Sequence, residues 1–525
     1  MRKLFGIIAV TLVALNALAA WFWPAAWWMA AVYGPLILVG VHDMLQSKHA
    51  IRRNFPVIGH GRYLMEMIRP EINQYFVESN WDGMPFNRER RSVVYQRAKG
   101  QTDTIPFGTQ SNVYEIDYEW INHSLAPKPV MHEPPRVRIG GKDCTQPYSA
   151  SLFNISAMSY GSLSRNAILA LNQGAKKGGF LHCTGEGGIS PYHLEGGGDL
   201  TWQIGTGYFG CRNKDGTFSD TEFRKRATHP NVKMIEIKLS QGAKPGHGGI
   251  LPASKLTPEI VEIRGVEPGK DVLSPPAHSA FSTPEGLLEF VARLRGLSGG
   301  KPVGFKLCLG KHREFLAIVK AMLKTGILPD FITVDGAEGG TGAAPLEFSN
   351  SVGTPLNDAL IFVHNSLVGA GIRDQIRIIV SGKITTGFNI AAKLALGADL
   401  CNSARGMMFA LGCIQALRCN TNTCPTGVAT QDPELVKGLV VPDKAQRVAN
   451  FHKATLHSFL EVMAAAGLSH PSEFRPWHIQ RRVSSTEVKH YGEIFQYIEP
   501  KAFFKEPIPY PYARPWSAAQ AETFG

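Results

Sequence analysis

Between about residues 150 and 440, short apolar runs of β-like composition recur, and each ends in glycine or a polar turn. Seven are clear, at 153–158, 180–184, 234–239, 303–307, 331–334, 377–380 and 399–404. Helical periodicity fills several of the gaps, over 164–177, 284–297, 313–325 and 389–396. Parallel neighbours cannot be joined by a tight turn, so strand–helix alternation over this length demands a parallel sheet with crossover helices. The expected fold is α/β, a (β/α)8 TIM barrel whose eighth strand does not stand out. An open doubly wound sheet is the alternative.

Functional residues of such a barrel lie at the C-terminal ends of its strands. Those ends are rich here. They carry Ala157-Met158-Ser159-Tyr160-Gly161, Gly185-Glu186-Gly187-Gly188 and Gln241-Gly242-Ala243-Lys244-Pro245-Gly246, then Lys306, Asp335 through Gly342, Ser381-Gly382-Lys383 and Ala404-Arg405-Gly406. One glycine cluster reads as a tight turn. Several at successive strand ends, with Lys306 and Arg405 to supply positive charge, read as a phosphate site, where Gly339, Gly340 and Gly382 let backbone N–H groups approach phosphate oxygens. Met158 and Ser159 would let a flat ring lie against backbone. Flavin mononucleotide (FMN) meets these requirements, with Lys306 placed to stabilise the reduced ring.

Three cysteines close this region: Cys413, Cys419 and Cys424, in the string LGCIQALRCNTNTCPTGVAT. Free cysteines usually scatter as small buried hydrophobes. Three so close together, followed by Pro425, read as ligands to an iron–sulfur cluster and suggest a reducing compartment. The formal charge of +12 is spread in short clusters, so a nucleic-acid partner is not expected.

No charged side chain occurs from Leu4 to Val41, and Pro24 divides the stretch into two apolar halves. A spanning helix needs about 20 such residues. Two spans joined near Trp21–Trp28 make a transmembrane hairpin with aromatic residues at an interface. Arg2 and Lys3 before it, and Lys48, Arg52 and Arg53 after it, place both ends and the body in the cytoplasm, on the inner membrane. Ala17-Leu18-Ala19 also resembles a signal-peptide cleavage site, but the second apolar stretch follows without a polar gap. The expected domains are a hairpin over 1–46, a mixed collar over 47–149 with an amphipathic stretch around 63–76, the barrel over 150–440, and a helical extension over 441–525.

The strings SAMSYGSLS (156–164), GEGG (185–188), IEIKLSQGAKPGHGGILP (235–252), DGAEGGTGAAP (335–345) and the cysteine run resemble, in order, the FMN-binding synthase domain of glutamate synthase. The layout is similar to the compact membrane-associated branch of that family. The resemblance implies an FMN-containing barrel with a 3Fe-4S cluster held by Cys413, Cys419 and Cys424. It implies an oxidoreductase that condenses 2-oxoglutarate with ammonia and moves a hydride from reduced FMN to the imine carbon. On the family's pattern, Gln241, Lys244 and Arg264 bind the 2-oxo acid, Glu186 stands near the imine, and Lys244 and Lys306 join Glu186 as catalytic residues. Thr283 joins the substrate-binding set within His278-Ser279-Ala280-Phe281-Ser282-Thr283, where the family often reads His-His-Asp-Ile-Tyr-Ser. Asn420 replaces the usual histidine after the second cluster cysteine.

The string contains no cysteine before Cys144, so ammonia is expected from outside rather than from a glutaminase nucleophile of the family type. Other readings are an enzyme like N-methylglutamate synthase, using an alkylamine, and a membrane-bound FMN/iron–sulfur electron-transfer component. Retention of Gln241, Lys244 and Arg264 favours a 2-oxo acid substrate. No GxGxxG fingerprint opens a βαβ unit, so ferredoxin or a partner reductase is the expected electron donor.

Overall fold

The run LTWQI is the strand that closes the sheet. In the computed structural model, which describes residues 1–101 and 104–525, eight parallel strands form a closed barrel. They are β1 (Phe153–Ile155), β2 (His182–Cys183), β3 (Leu200–Ile204), β4 (Val232–Lys238), β5 (Val303–Leu307), β6 (Phe331–Asp335), β7 (Arg377–Ser381) and β8 (Leu400–Ser403). Each pairs with the next in sequence, and β8 pairs with β1 through Cys401 and Phe153. Seven of these are the expected runs. β3 is the eighth, and it shifts the order: the glutamine–lysine loop follows β4, Lys306 lies on β5, and Asp335 ends β6.

The crossover helices have readable starts and stops. Arg165–Gly178 begins where the Ser164 hydroxyl accepts the Ala167 N–H, and it ends at Gly179 in the left-handed conformation. Pro284–Leu297 is capped by Thr283, and Gly387–Leu396 by Thr386. The long helix Val441–Ala465 crosses Arg165–Gly178 so closely that a Cβ on Gly174 would lie 2.7 Å from Val448 Cβ. The helical character expected after residue 440 is this element.

The barrel interior is graded. At the N-terminal end an antiparallel hairpin, Val137–Ile139 with Tyr148–Ala150, closes the bottom. Ile139 and Ala150 pack there against Leu181, Met234, Phe331, Ile379 and Leu400. Beside this plug, buried Asp330 accepts from Arg295, from Val303 N–H (2.8 Å) and from Gly141 N–H (2.6 Å). One layer higher the interior turns polar. Glu236 accepts from Gln203 Nε2 (2.6 Å) and from the Thr333 hydroxyl (2.5 Å). A barrel built for packing alone would carry branched aliphatics at that level.

The described residues divide into two compact units, Met1–Glu89 and Arg90–Gly525. In the first, helix Arg2–Phe22 turns through a 3-10 segment, Pro24–Met29, into helix Ala30–Leu45. Asn16 fastens the turn: its amide donates to Ala26 O (2.8 Å), and its oxygen accepts from the Tyr33 hydroxyl (3.0 Å). The segments Arg2–Phe22 and Pro24–Leu45 are each long and apolar enough to cross a membrane, by length and composition. Helices Ala50–Asn54 and Gly59–Ile72 follow, and the latter continues into a π-helical turn, Asn73–Val77.

Candidate active site

The strand ends bring three groups together at the C-terminal mouth of the barrel. Glu186 comes from the glycine-rich turn after β2, and its Oε1 lies 2.8 Å from Nζ of Lys238 at the end of β4. Lys238 Nζ also donates to Gln241 Oε1 (2.6 Å), whose amide nitrogen donates to the Thr341 hydroxyl (3.2 Å). Burial pushes the Glu186 carboxyl up, but Lys238, then Lys244 and Arg264, outweigh that effect and hold it below the usual carboxylate range. Glu186 is therefore a fixed negative charge in a largely buried, cationic setting.

Two buried cations flank it. Lys244 donates to Ala343 O (2.7 Å), and burial, helped by Lys238, pushes its pKa down to about 8. Arg264 ends the short helix Pro258–Arg264 with only 5% of its surface exposed. One of its terminal nitrogens donates to Tyr160 O (3.0 Å), and the guanidinium lies 5.1 Å from the centre of the Phe209 ring. Among the described residues its buried Nε has no partner, which leaves an unspent donor beside Glu186. Thr283, expected with this group, instead uses its hydroxyl to cap its own helix, accepting from Gly286 N–H (3.0 Å).

A second set lies on the late strands. Lys306 Nζ is 3.2 Å from Asp335 Oδ2, and both side chains are buried. Burial would lower the lysine's pKa, but Asp335 and Glu236 overcome it and keep Lys306 charged. The same Asp335 oxygen accepts from Gly242 N–H (2.9 Å), which ties the loop after β4 to β6. Gly242 has no alternative residue, because a Cβ there would sit 1.8 Å from Gly336 O. Further round, Arg405 opens helix Arg405–Leu411 and donates to Glu338 O. A Cβ on Gly340 would fall 2.8 Å from its Nε. Lys383, in the left-handed conformation after Gly382, adds a cation, and burial lowers its pKa. Met158 and Ser159 follow β1, where a Cβ on Gly185 would lie 2.6 Å from Ser159 N. The residues fit a flavin phosphate: cations and glycines at the late strand ends, and bare backbone at the early ones.

Lys238 stands at the centre of the Glu186 array, although the sequence reading gives it no role. Tyr208 and His278 support it: the His278 ring spans the Tyr208 hydroxyl (3.0 Å) and Lys238 O (2.9 Å), so it braces the strand end that carries Lys238. Burial pushes His278 down to about 4 and keeps it neutral.

Cys413, Cys419 and Cys424 occupy the loop after Arg405–Leu411. The three thiols feel one another electrostatically. The buried ammonium of Lys255, which donates to Ser162 O (2.8 Å), faces Cys419 and Cys424. Burial would raise the Cys424 pKa, but hydrogen bonds from Thr426 and the backbone of Ala429 and Val428 outweigh that effect and lower it. Among the described residues, no three His, Cys, Asp or Glu side chains converge as they would on a single metal ion. Soft sulfur ligands with N–H donors and a buried cation form a donor set that suits an iron–sulfur cluster.

Comparison with known proteins identifies the family. The region conserved in glutamate synthase matches residues 124–469. The glutamate synthase large subunit-like protein YerD of Bacillus subtilis (strain 168) is 39% identical over 491 residues, which is 85% of this chain and 93% of that one. The archaeal glutamate synthase [NADPH] of Methanocaldococcus jannaschii is 37% identical over 316 residues, covering 60% of this chain and 59% of the relative. The glutamate synthase [NADPH] large chain of Bacillus subtilis is 31% identical over 350 residues, 65% of this chain and 21% of that one. The chain thus spans nearly all of the first relative but well under two thirds of the other two. It belongs to the glutamate synthase family of oxidoreductases.

Proposed function

We propose that this chain is an FMN- and iron–sulfur-dependent enzyme that reductively aminates 2-oxoglutarate, or a related 2-oxo acid, to glutamate with externally supplied ammonia. The observation that carries the reading is the array in which half-buried Glu186 and Gln241 meet the buried cations Lys238, Lys244 and Arg264, beside Lys306. An electron carrier has no need of two buried cations around a fixed carboxylate.

Bound FMN would supply the hydride for the imine carbon, and Cys413, Cys419 and Cys424 would hold a 3Fe-4S cluster able to pass electrons from ferredoxin or a partner reductase. Arg405, Lys383 and the late glycines would hold its phosphate, and Lys306 would supply positive charge to stabilise the reduced ring. Lys244 and Arg264 neutralise the two substrate carboxylates; the unspent Nε of Arg264 gives it a directed donor. Gln241, oriented by Lys238, positions the 2-oxo group. Glu186, held as a fixed negative charge, draws in ammonium and orients it toward C2. The two apolar helices anchor the body to the inner membrane on its cytoplasmic side.

The test is anaerobic reoxidation of the chemically reduced protein by a panel of 2-oxo acids, with and without ammonia or methylamine. The expected result is fast reoxidation by 2-oxoglutarate only when ammonia is present, with glutamate formed. A preference for methylamine would assign the N-methylglutamate chemistry, and no response to any pair would overturn amino-acid synthesis.

A further inference from the structure

Past the second apolar helix the chain folds back on itself around one buried carboxylate. Asp43 accepts from Val57 N–H (2.9 Å), and both its oxygens lie within 3.0 Å of His60 Nε2. These contacts pin the start of helix Gly59–Ile72 to the end of Ala30–Leu45. Tyr63 strengthens the joint: the Arg52 guanidinium stands 4.5 Å from its ring centre, and His49 meets the same ring edge-on at 5.1 Å.

The helix so placed has two unlike faces. Leu64, Met65, Met67, Ile68 and Ile72 share one side at three- and four-residue spacing, with Glu71 the one acid among them, whereas Arg62, Glu66 and Arg69 share the other. The apolar side is not buried in the fold. Leu64, Met65, Met67 and Ile72 are exposed, and Tyr75, Phe76 and Val77 extend the row, with Phe76 at 85%. Lys48, Arg52, Arg53, Arg62 and Arg69 outnumber Glu66 and Glu71 between residues 48 and 77.

We propose that residues 50–77 form an interfacial foot that lies in the plane of an anionic lipid bilayer. Its apolar row enters the acyl boundary, and its basic residues meet phosphate headgroups. The proposal rests on reading 2–45 as a membrane hairpin, because that hairpin is what holds the foot at bilayer depth. Asp43 sets the angle: with His60 fixed beside it, the helix leaves the hairpin at its base.

The test uses the full chain in vesicles of phosphatidylcholine and phosphatidylglycerol (7:3) doped with a lipid bearing a diazirine in its acyl chain. After photolysis, lipid adducts are mapped by mass spectrometry; trypsin spares the Arg69–Pro70 bond, so residues 63–88 come off as one peptide. The expected result is adducts on both 2–45 and 64–77, with those on 64–77 at least threefold weaker in phosphatidylcholine alone. L64E/I72E is expected to lose the adducts at 64–77 and keep those on the hairpin. A labelled hairpin with an unlabelled 64–77 segment overturns the foot while leaving the anchor, and means that protein covers this face. No adducts on either segment overturn the anchor itself. Equal labelling of 64–77 in both lipid mixtures overturns the role given to the basic residues.

Discussion

Arg264→Ala is the sharpest probe of the oxo-acid site. The guanidinium is almost wholly buried, spends one nitrogen on Tyr160 O, rests on the Phe209 ring and keeps Nε unspent. A hydrogen bond from a charged donor contributes about 1.5–3 kcal/mol. At 1.4 kcal/mol per tenfold, its loss raises the half-saturating 2-oxoglutarate concentration by about 10- to 150-fold. Because the carboxylates are held equally before and during hydride transfer, kcat should fall much less. Arg264→Lys keeps the charge but cannot reach Tyr160 O and offer a second directed donor at once, so it should lie between. The assay is steady-state turnover with a chemically reduced donor at saturating ammonia, with flavin content measured on each preparation. An unchanged half-saturating concentration in a fully flavinated Arg264→Ala protein would refute the assignment.

Lys244 predicts a pH dependence. Its pKa is pushed down to about 8, and carboxylate binding requires its charged form. The charge is complete well below pH 8 and is lost above it. The half-saturating 2-oxo acid concentration should be flat in acid and rise above about pH 8, by up to about tenfold per unit. Lys244→Arg should remove that rise; a profile with no break near 8 in the parent protein would exclude Lys244 from the carboxylate contact. Cys419→Ser should lose iron while keeping most of its flavin, read by metal analysis and by absorbance on anaerobically purified protein. Unchanged iron content would mean that the ligand assignment is wrong.

The barrel was legible wherever a strand faced apolar neighbours on both sides. β3 was not, because Thr201 and Gln203 point into the polar interior layer: LTWQI alternates apolar with polar residues after the glycine-rich string EGGGD, and lacks the continuous apolar run that marks the other strands. Lys238 escaped notice because a lysine at a strand end reads as a solvated terminus; only the turn after β2 brings Glu186 to within 2.8 Å. Thr283 has a local role that its own string announces. The string Thr283-Pro284-Glu285 is itself a helix-start signature, and the hydroxyl serves that cap. The cysteine loop was readable from spacing because its residues are neighbours along the chain. The partners of Arg264 were not, since Tyr160 and Phe209 come from loops about 100 and 55 residues away in sequence.

Asp335 uses one oxygen for two tasks, holding the ammonium of Lys306 and the amide of Gly242. The lysine's field and the shape of the loop after β4 are therefore not separate variables. A substitution that draws the carboxylate toward Lys306 loosens the loop, and one that draws it toward Gly242 leaves the lysine's charge less screened. On the function proposed above, a lineage that reshaped this loop for another oxo acid would shift the charge near its cofactor as well, and the two traits would drift together.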